Sequence, residues 1–298
     1  GYINYYYYGL YLVAALTKLS GIRPEVAFNL ALSLFFSLTF SSAMVLGASL
    51  VRGRAVWAGL ASAVLVTVLG NLEGGLLLIR RWAEAGADAP GGSLALVGWV
   101  PQVLGGLAAV LSGQRPAPAY DFWIPSRVIP DTINEFPFFS FLYGDLHPHI
   151  LDMPVILTTA AVVYCLFGRG DEGRSGWVRW GRLGLLGLLV GTAVATNTWD
   201  APALVAVGLG AVVLFWAREG GPGGLLRALA VAVIAAAGLG VALFLPFLRL
   251  YQPPPGGFAL SEGGSPLLHF LRVWGLFGFL SLALSLEVIS EGRYREGP

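Results

Sequence analysis

Long apolar runs, separated by short connections that carry arginine, constrain this chain more than any other feature. The runs cover roughly 24–51, 55–71, 150–167, 183–199, 201–216, 225–247 and 267–286. A helix needs about 20 apolar residues to cross about 30 Å of hydrocarbon. Only 12% of residues are charged and 56% are hydrophobic, whereas soluble domains carry about 25% charge. Mean hydropathy is +0.72. The chain therefore reads as an all-α, polytopic transmembrane helix bundle of about seven spans plus interfacial helices, embedded in the lipid bilayer. Period-2 alternation with turn signals, the mark of a transmembrane barrel, is absent. Dispersed basic residues and a net charge of +1 exclude a nucleic-acid footprint. A single cysteine, Cys165, excludes an internal disulfide.

Gly1 in place of an initiator Met, and a polar tail from Glu291, lead to the expectation of a fragment of a longer chain. Residues 1–298 are taken as one integral membrane domain, with 72–149 an outer loop region. Residues 5–19 are too short to span and rich in Tyr, which suits a helix lying on the membrane surface. The stretch 94–111 is apolar but contains Pro101 and Gly105-Gly106, and reads as a re-entrant or interfacial helix. Arg52, Arg54, Arg169, Arg174, Arg179, Arg182, Arg218, Arg227, Arg293 and Arg295 fall in short connections. Placing those connections on the cytoplasmic side puts 72–149 outside the cell and Cys165 near the inner face.

The polar chemistry concentrates in Glu135-Phe-Pro-Phe-Phe-Ser-Phe-Leu-Tyr-Gly-Asp-Leu-His-Pro-His149, which runs straight into an apolar segment. Ionisable residues at a bilayer edge are costly to hold there and read as functional. Asp145 can act as a base, and His147 and His149 can donate to phosphate; the three together can also bind a divalent cation. Asp152 adds a fourth polar group. The alternative is a turn whose Asp and His cap the helix starting near Ile150, but a cap needs one such residue, not four.

Asn197, Trp199 and Asp200 stand at the junction of two expected spans. Asp200 before Ala201-Pro202 suits a helix N-cap, which leaves Asn197 and Trp199 for a shared site. Arg80 and Arg81, near Glu73, and Arg127 could hold a phosphate bidentately or be ordinary surface residues. Tyr5, Tyr6, Tyr7 and Tyr8 cannot all face lipid, because successive helical residues turn by about 100°. Some must meet protein or a ligand such as a sugar ring or isoprenoid. No phosphate loop, dinucleotide fingerprint or serine elbow is present. Charge inside the expected spans is almost nil, which leaves a proton or ion pathway without its usual residues.

Three motifs, Asn4-Tyr-Tyr-Tyr-Tyr-Gly9, Ile133 to His149 and Ala195-Thr-Asn-Thr-Trp-Asp200, together resemble the uncharacterised "YYY domain" polytopic membrane proteins. The N-terminal layout is also similar to the GT-C glycosyltransferases, which use polyprenyl-phosphate sugars. That resemblance implies a glycosyltransferase of the cell envelope, multi-pass in the cell membrane, with its site facing the exterior. Asp145 or an acid upstream of Gly1 would be the base, with Glu135, His147 and His149 in the catalytic set. Tyr5 to Tyr8, Arg80, Arg81, Arg127, Asn197, Trp199 and Asp200 would bind substrate. Two other classes stay open: a transporter or lipid flippase, and a non-catalytic envelope component in which alanine at His147 and His149 would impair folding and not activity.

Overall fold

The computed structural model describes residues 5–51, 53–86, 99–167, 176–204, 206–208, 210, 222–232, 238–252 and 263–295. Every regular element among them is helical. The chain forms two compact units, Gly1–Val68 with Ser140–Gly257, and Leu69–Phe139 with Phe258–Pro298.

The first unit holds α1 (Tyr8–Ser20), α2 (Pro24–Leu50) and α3 (Ala55–Thr67). After α6 (Pro137–Tyr143), which straddles the division, come α7 (Pro148–Phe167) and α8 (Gly176–Thr196). The helices α9 (Pro222–Ala232) and α10 (Gly240–Leu250) complete it. Helix α2 starts with Pro24 in its first turn, where a missing N–H leaves no bond unmade. Its buried residues recur every fourth position: Ala27, Ala31, Phe35, Thr39, Ala43 and Gly47. Val26, Leu30, Leu34, Leu38 and Val45 are exposed and form its lipid-facing side. Small residues on the buried stripe let α3 come close, as van der Waals association within lipid requires. A Cβ on Gly47 would overlap Ser62, and one on Gly59 would lie 2.6 Å from the Met44 carbonyl oxygen. Hydroxyls in this stripe are satisfied locally: Thr39 donates to Phe35 O at 2.8 Å and Thr67 to Ala63 O at 2.7 Å.

The second unit holds α4 (Leu72–Ala85), α5 (Trp99–Leu111), a 3-10 turn at Ile124–Arg127 and α11 (Leu267–Arg295). Asn71 caps α4, accepting from Gly74 N–H at 3.2 Å while its amide donates to Pro125 O. The described residues of 72–149 are thus largely helical. Within 94–111, read as a re-entrant or interfacial helix, α5 runs through Pro101 and Gly105-Gly106. Gly106 permits a close helix crossing, since a Cβ there would meet the Trp82 carbonyl oxygen at 2.1 Å.

Among the described residues, three helices are long and apolar enough to cross a membrane: α2, α7 through Leu166, and α11 through Glu287. A fourth arises if α3 and α4 count as one broken span. Of the other expected spans, 183–199 corresponds to a shorter apolar stretch in α8, Trp180–Thr196. The expected span 225–247 falls on α9 and α10, with 233–237 outside the described residues. Most of 201–216 and of the 251–266 loop lies outside the described residues too, as do Arg52, Arg169, Arg174 and Arg218.

Candidate functional site

The Gly-Asp-Leu-His-Pro-His sequence closes one helix and opens the next. Gly144 has φ +77°, a left-handed conformation open to glycine, and Gly144 N–H and Asp145 N–H both donate to Ser140 O, at 3.1 and 3.2 Å. Pro148 then begins α7. Between them Leu146 is 3% exposed and packs with Ala31, Phe35 and Leu151. In an extended turn neighbouring side chains point opposite ways, so burying Leu146 turns Asp145 and His147 outward. Both remain about half exposed, at 48% and 42%.

His147 Nδ1 and Asp145 Oδ2 are 2.9 Å apart, and a ring N–H donating to the carboxylate leaves Nε2 of His147 with its lone pair. The His147 and His149 rings are 4.9 Å apart, and His149 Nε2 is hydrogen-bonded to the Ser140 hydroxyl at 3.0 Å. Ser140 is 1% exposed, so His149 has a rigid partner. The carboxylate of Asp145 is held by an imidazole, and His147, at the N-cap position of α7, accepts from Ile150 and Leu151 N–H through its carbonyl.

The tyrosines divide. Tyr7 and Tyr8 pack edge-on against Phe247 and Phe244 of α10, with centroids 6.2 and 5.1 Å apart. Tyr5 stacks on Tyr6 at 4.1 Å and senses the charge of Asp145. Burial, the adjoining Tyr6 hydroxyl and Asp145 push the Tyr5 hydroxyl up to about 12. Tyr5 therefore stays a neutral hydrogen-bond donor beside the Asp–His pair.

One turn into α7, Asp152 is completely buried, and neither carboxylate oxygen meets a hydrogen-bond donor. The group it faces is the Asp200 carboxyl. Asp152, near the start of the expected span 150–167, lies inside a membrane-length helix. Asp200 directly precedes a helical segment that starts at Ala201, where the sequence suited an N-cap, and its Oδ2 accepts from the Asn197 amide at 2.9 Å. Asn197 is 5% exposed, whereas Trp199 is 72% exposed and turned outward. Thr196 and Ser140 were not singled out from the sequence. Both are buried, Ser140 bonded to His149 and Thr196 with no partner for Oγ1, and single residues of such common types do not advertise that in a sequence.

The remaining predicted residues belong to the second unit and are engaged in ion pairs. Arg80 binds the buried Glu73 at 3.0 Å, and Arg272 of α11 binds its other oxygen at 3.4 Å. Arg81 pairs with Glu84 at 3.3 Å and lines a cavity of about 860 Å³ with Arg115, Tyr120 and Asp121. Arg127 lies over the Trp123 ring at 4.2 Å and within 3.9 Å of Glu135. Glu135 is thus tied to Arg127.

The family described as uncharacterized membrane protein, DUF2298, matches residues 1–296. The chain belongs to this family of membrane proteins. No curated protein and no solved structure matches it. Membership agrees with the apolar helices and the three motifs, all of which fall within the matched span.

Proposed function

We propose that this membrane protein is a GT-C-like glycosyltransferase of about seven spans. It would move a sugar from a polyprenyl phosphate to an acceptor hydroxyl at the outer face of the cell membrane. The observation that carries the reading is the open Asp145–His147 pair, 2.9 Å apart, at the start of a membrane-length helix. A carboxylate held by an imidazole is oriented to take a proton from an acceptor hydroxyl, and Asp145 keeps a second oxygen for that purpose. With its Nδ1–H given to Asp145, His147 presents an Nε2 lone pair, so it would meet a departing phosphate through a bound cation. Asp145, His147 and His149 would also hold a divalent cation, whose chemistry would be to neutralise that phosphate. Tyr5 and Tyr6 offer a ring face and a neutral hydroxyl to the sugar. Asn197, Trp199, Asp200, Tyr7 and Tyr8 complete the proposed set within the first unit; Arg80, Arg81, Arg127 and Glu135 belong to the second unit and act there through the ion pairs described above.

The test is mass spectrometry of lipids that co-purify with the full-length protein, wild type against Asp145→Asn. A polyprenyl-phosphate sugar retained or enriched in the variant, together with loss of transfer, is the expected outcome. Absence of any prenyl lipid from both proteins would overturn the assignment. A transporter is the second reading, favoured by the buried acid of α7; it requires substrate flux in proteoliposomes and no sugar transfer.

A further inference from the structure

Two carboxyls that face each other in a buried setting need something between them. Asp152 is 0% exposed and its Oδ1 and Oδ2 have no donor. Asp200 offers a second carboxyl to the same space, with only Oδ2 held, by Asn197 at 2.9 Å. Thr196 is 1% exposed and its Oγ1 also lacks a partner. Thr196 and Leu151 both abut Gly9 of α1, so Thr196 stands level with the first turns of α7. No Arg, Lys or His pairs with either acid among the described residues. Two carboxyls in such a setting are stable together only by sharing a proton or by holding a cation between them, because buried like charges repel and buried acceptors lose their water.

We propose that Asp152 and Asp200, with Thr196, form a binding site for a hard divalent cation, separate from the Asp145–His147–His149 cluster. The donors are all oxygens, two of them from carboxylates, which suits Mg²⁺ or Ca²⁺ and not a soft metal. The site joins α7 to the end of α8 beneath α1, so the ion's first effect is to lock these three helices together. The proposal does not depend on glycosyl transfer.

The experiment is thermal unfolding of the purified full chain in detergent after chelation, with Mg²⁺ or Ca²⁺ added back, alongside metal content by mass spectrometry. The expected result is a concentration-dependent rise in the midpoint, with about one ion per chain more in the wild type than in Asp152→Asn. Asp145→Asn and His147→Phe should keep the rise. Asp152→Asn should abolish it, and Thr196→Val, which keeps the charge and folds without a new polar group, should weaken half-saturation about tenfold. If Asp152→Asn is as stable as the wild type and neither responds to cation, the two acids share a proton and the site is refuted. If the rise is lost in Asp145→Asn but kept in Asp152→Asn, the ion sits with the histidines and the assignment here is wrong.

Discussion

Replacing Gly9 by alanine tests whether α1 is seated on the functional end of the first unit. A Cβ at this position would lie 2.8 Å from Thr196 Cγ2, 2.9 Å from Leu151 Cβ and 3.0 Å from Leu151 Cδ1. Ordinary contacts begin at 3.4 Å, so α1 must withdraw by roughly half an ångström. Thr196 and the Leu151 tip can rotate, but Leu151 Cβ moves only with the backbone of α7. Overpacking of this kind destabilises by about 1–3 kcal/mol. Alanine regains at most about 1 kcal/mol of helix propensity, less so near a helix start. The net loss should be about 1–2 kcal/mol, a factor of about 5–30 in the folded-to-unfolded ratio. Gly278 on α11 has no atom within 4 Å of its Cβ position, so Gly278→Ala is the control and should be neutral or stabilising. Thermal unfolding in detergent, followed by tryptophan fluorescence, measures both. If Gly9→Ala melts at or above the wild type and tracks the control, α1 is not packed as described.

Glu73 holds Arg80 and Arg272 from a position 5% exposed, so Glu73→Gln should destabilise the second unit. Both arginines are partly solvated, at 41% and 27%, which lowers the effect to about 1–3 kcal/mol in the same melt. Asn71→Ala removes the α4 cap and the bond to Pro125 O, with an expected loss of about 1–2 kcal/mol read as earlier proteolysis of that region. Tyr5 has a raised folded pKa, so its contribution is complete below pH 10.0 and is lost as pH rises through about 12. Tyr5→Phe should flatten that alkaline loss in a pH series; an unchanged series would show that burial and Tyr6 do not hold the hydroxyl as described. Cys165 is exposed and was assigned to the cytoplasmic side, so an impermeant thiol reagent should label it in inverted vesicles and not in intact cells.

The helical membrane class was legible in the chain because length and hydropathy act locally: an apolar run of sufficient length satisfies its own backbone. The Asp145–His147 pair was legible for the same reason. The two residues are separated by one position, and Leu146 between them is apolar, so the turn that buries Leu146 presents both. Gly144 and Pro148 mark the helix end and the helix start around that turn, each through its own backbone preference. The pairing of Asp152 with Asp200, of Glu73 with Arg272, and of Tyr7 and Tyr8 with α10 was not legible. Each joins helices far apart in the chain. Which residues meet there depends on the rotation and axial level of whole helices, set by small-residue contacts such as Gly9 on Thr196 and Gly191 on Phe244. A glycine looks alike in sequence whether it breaks a helix or admits a neighbour, as Gly106 demonstrates. Local chemistry determined the elements and the turn; close packing alone decided which polar groups were buried together.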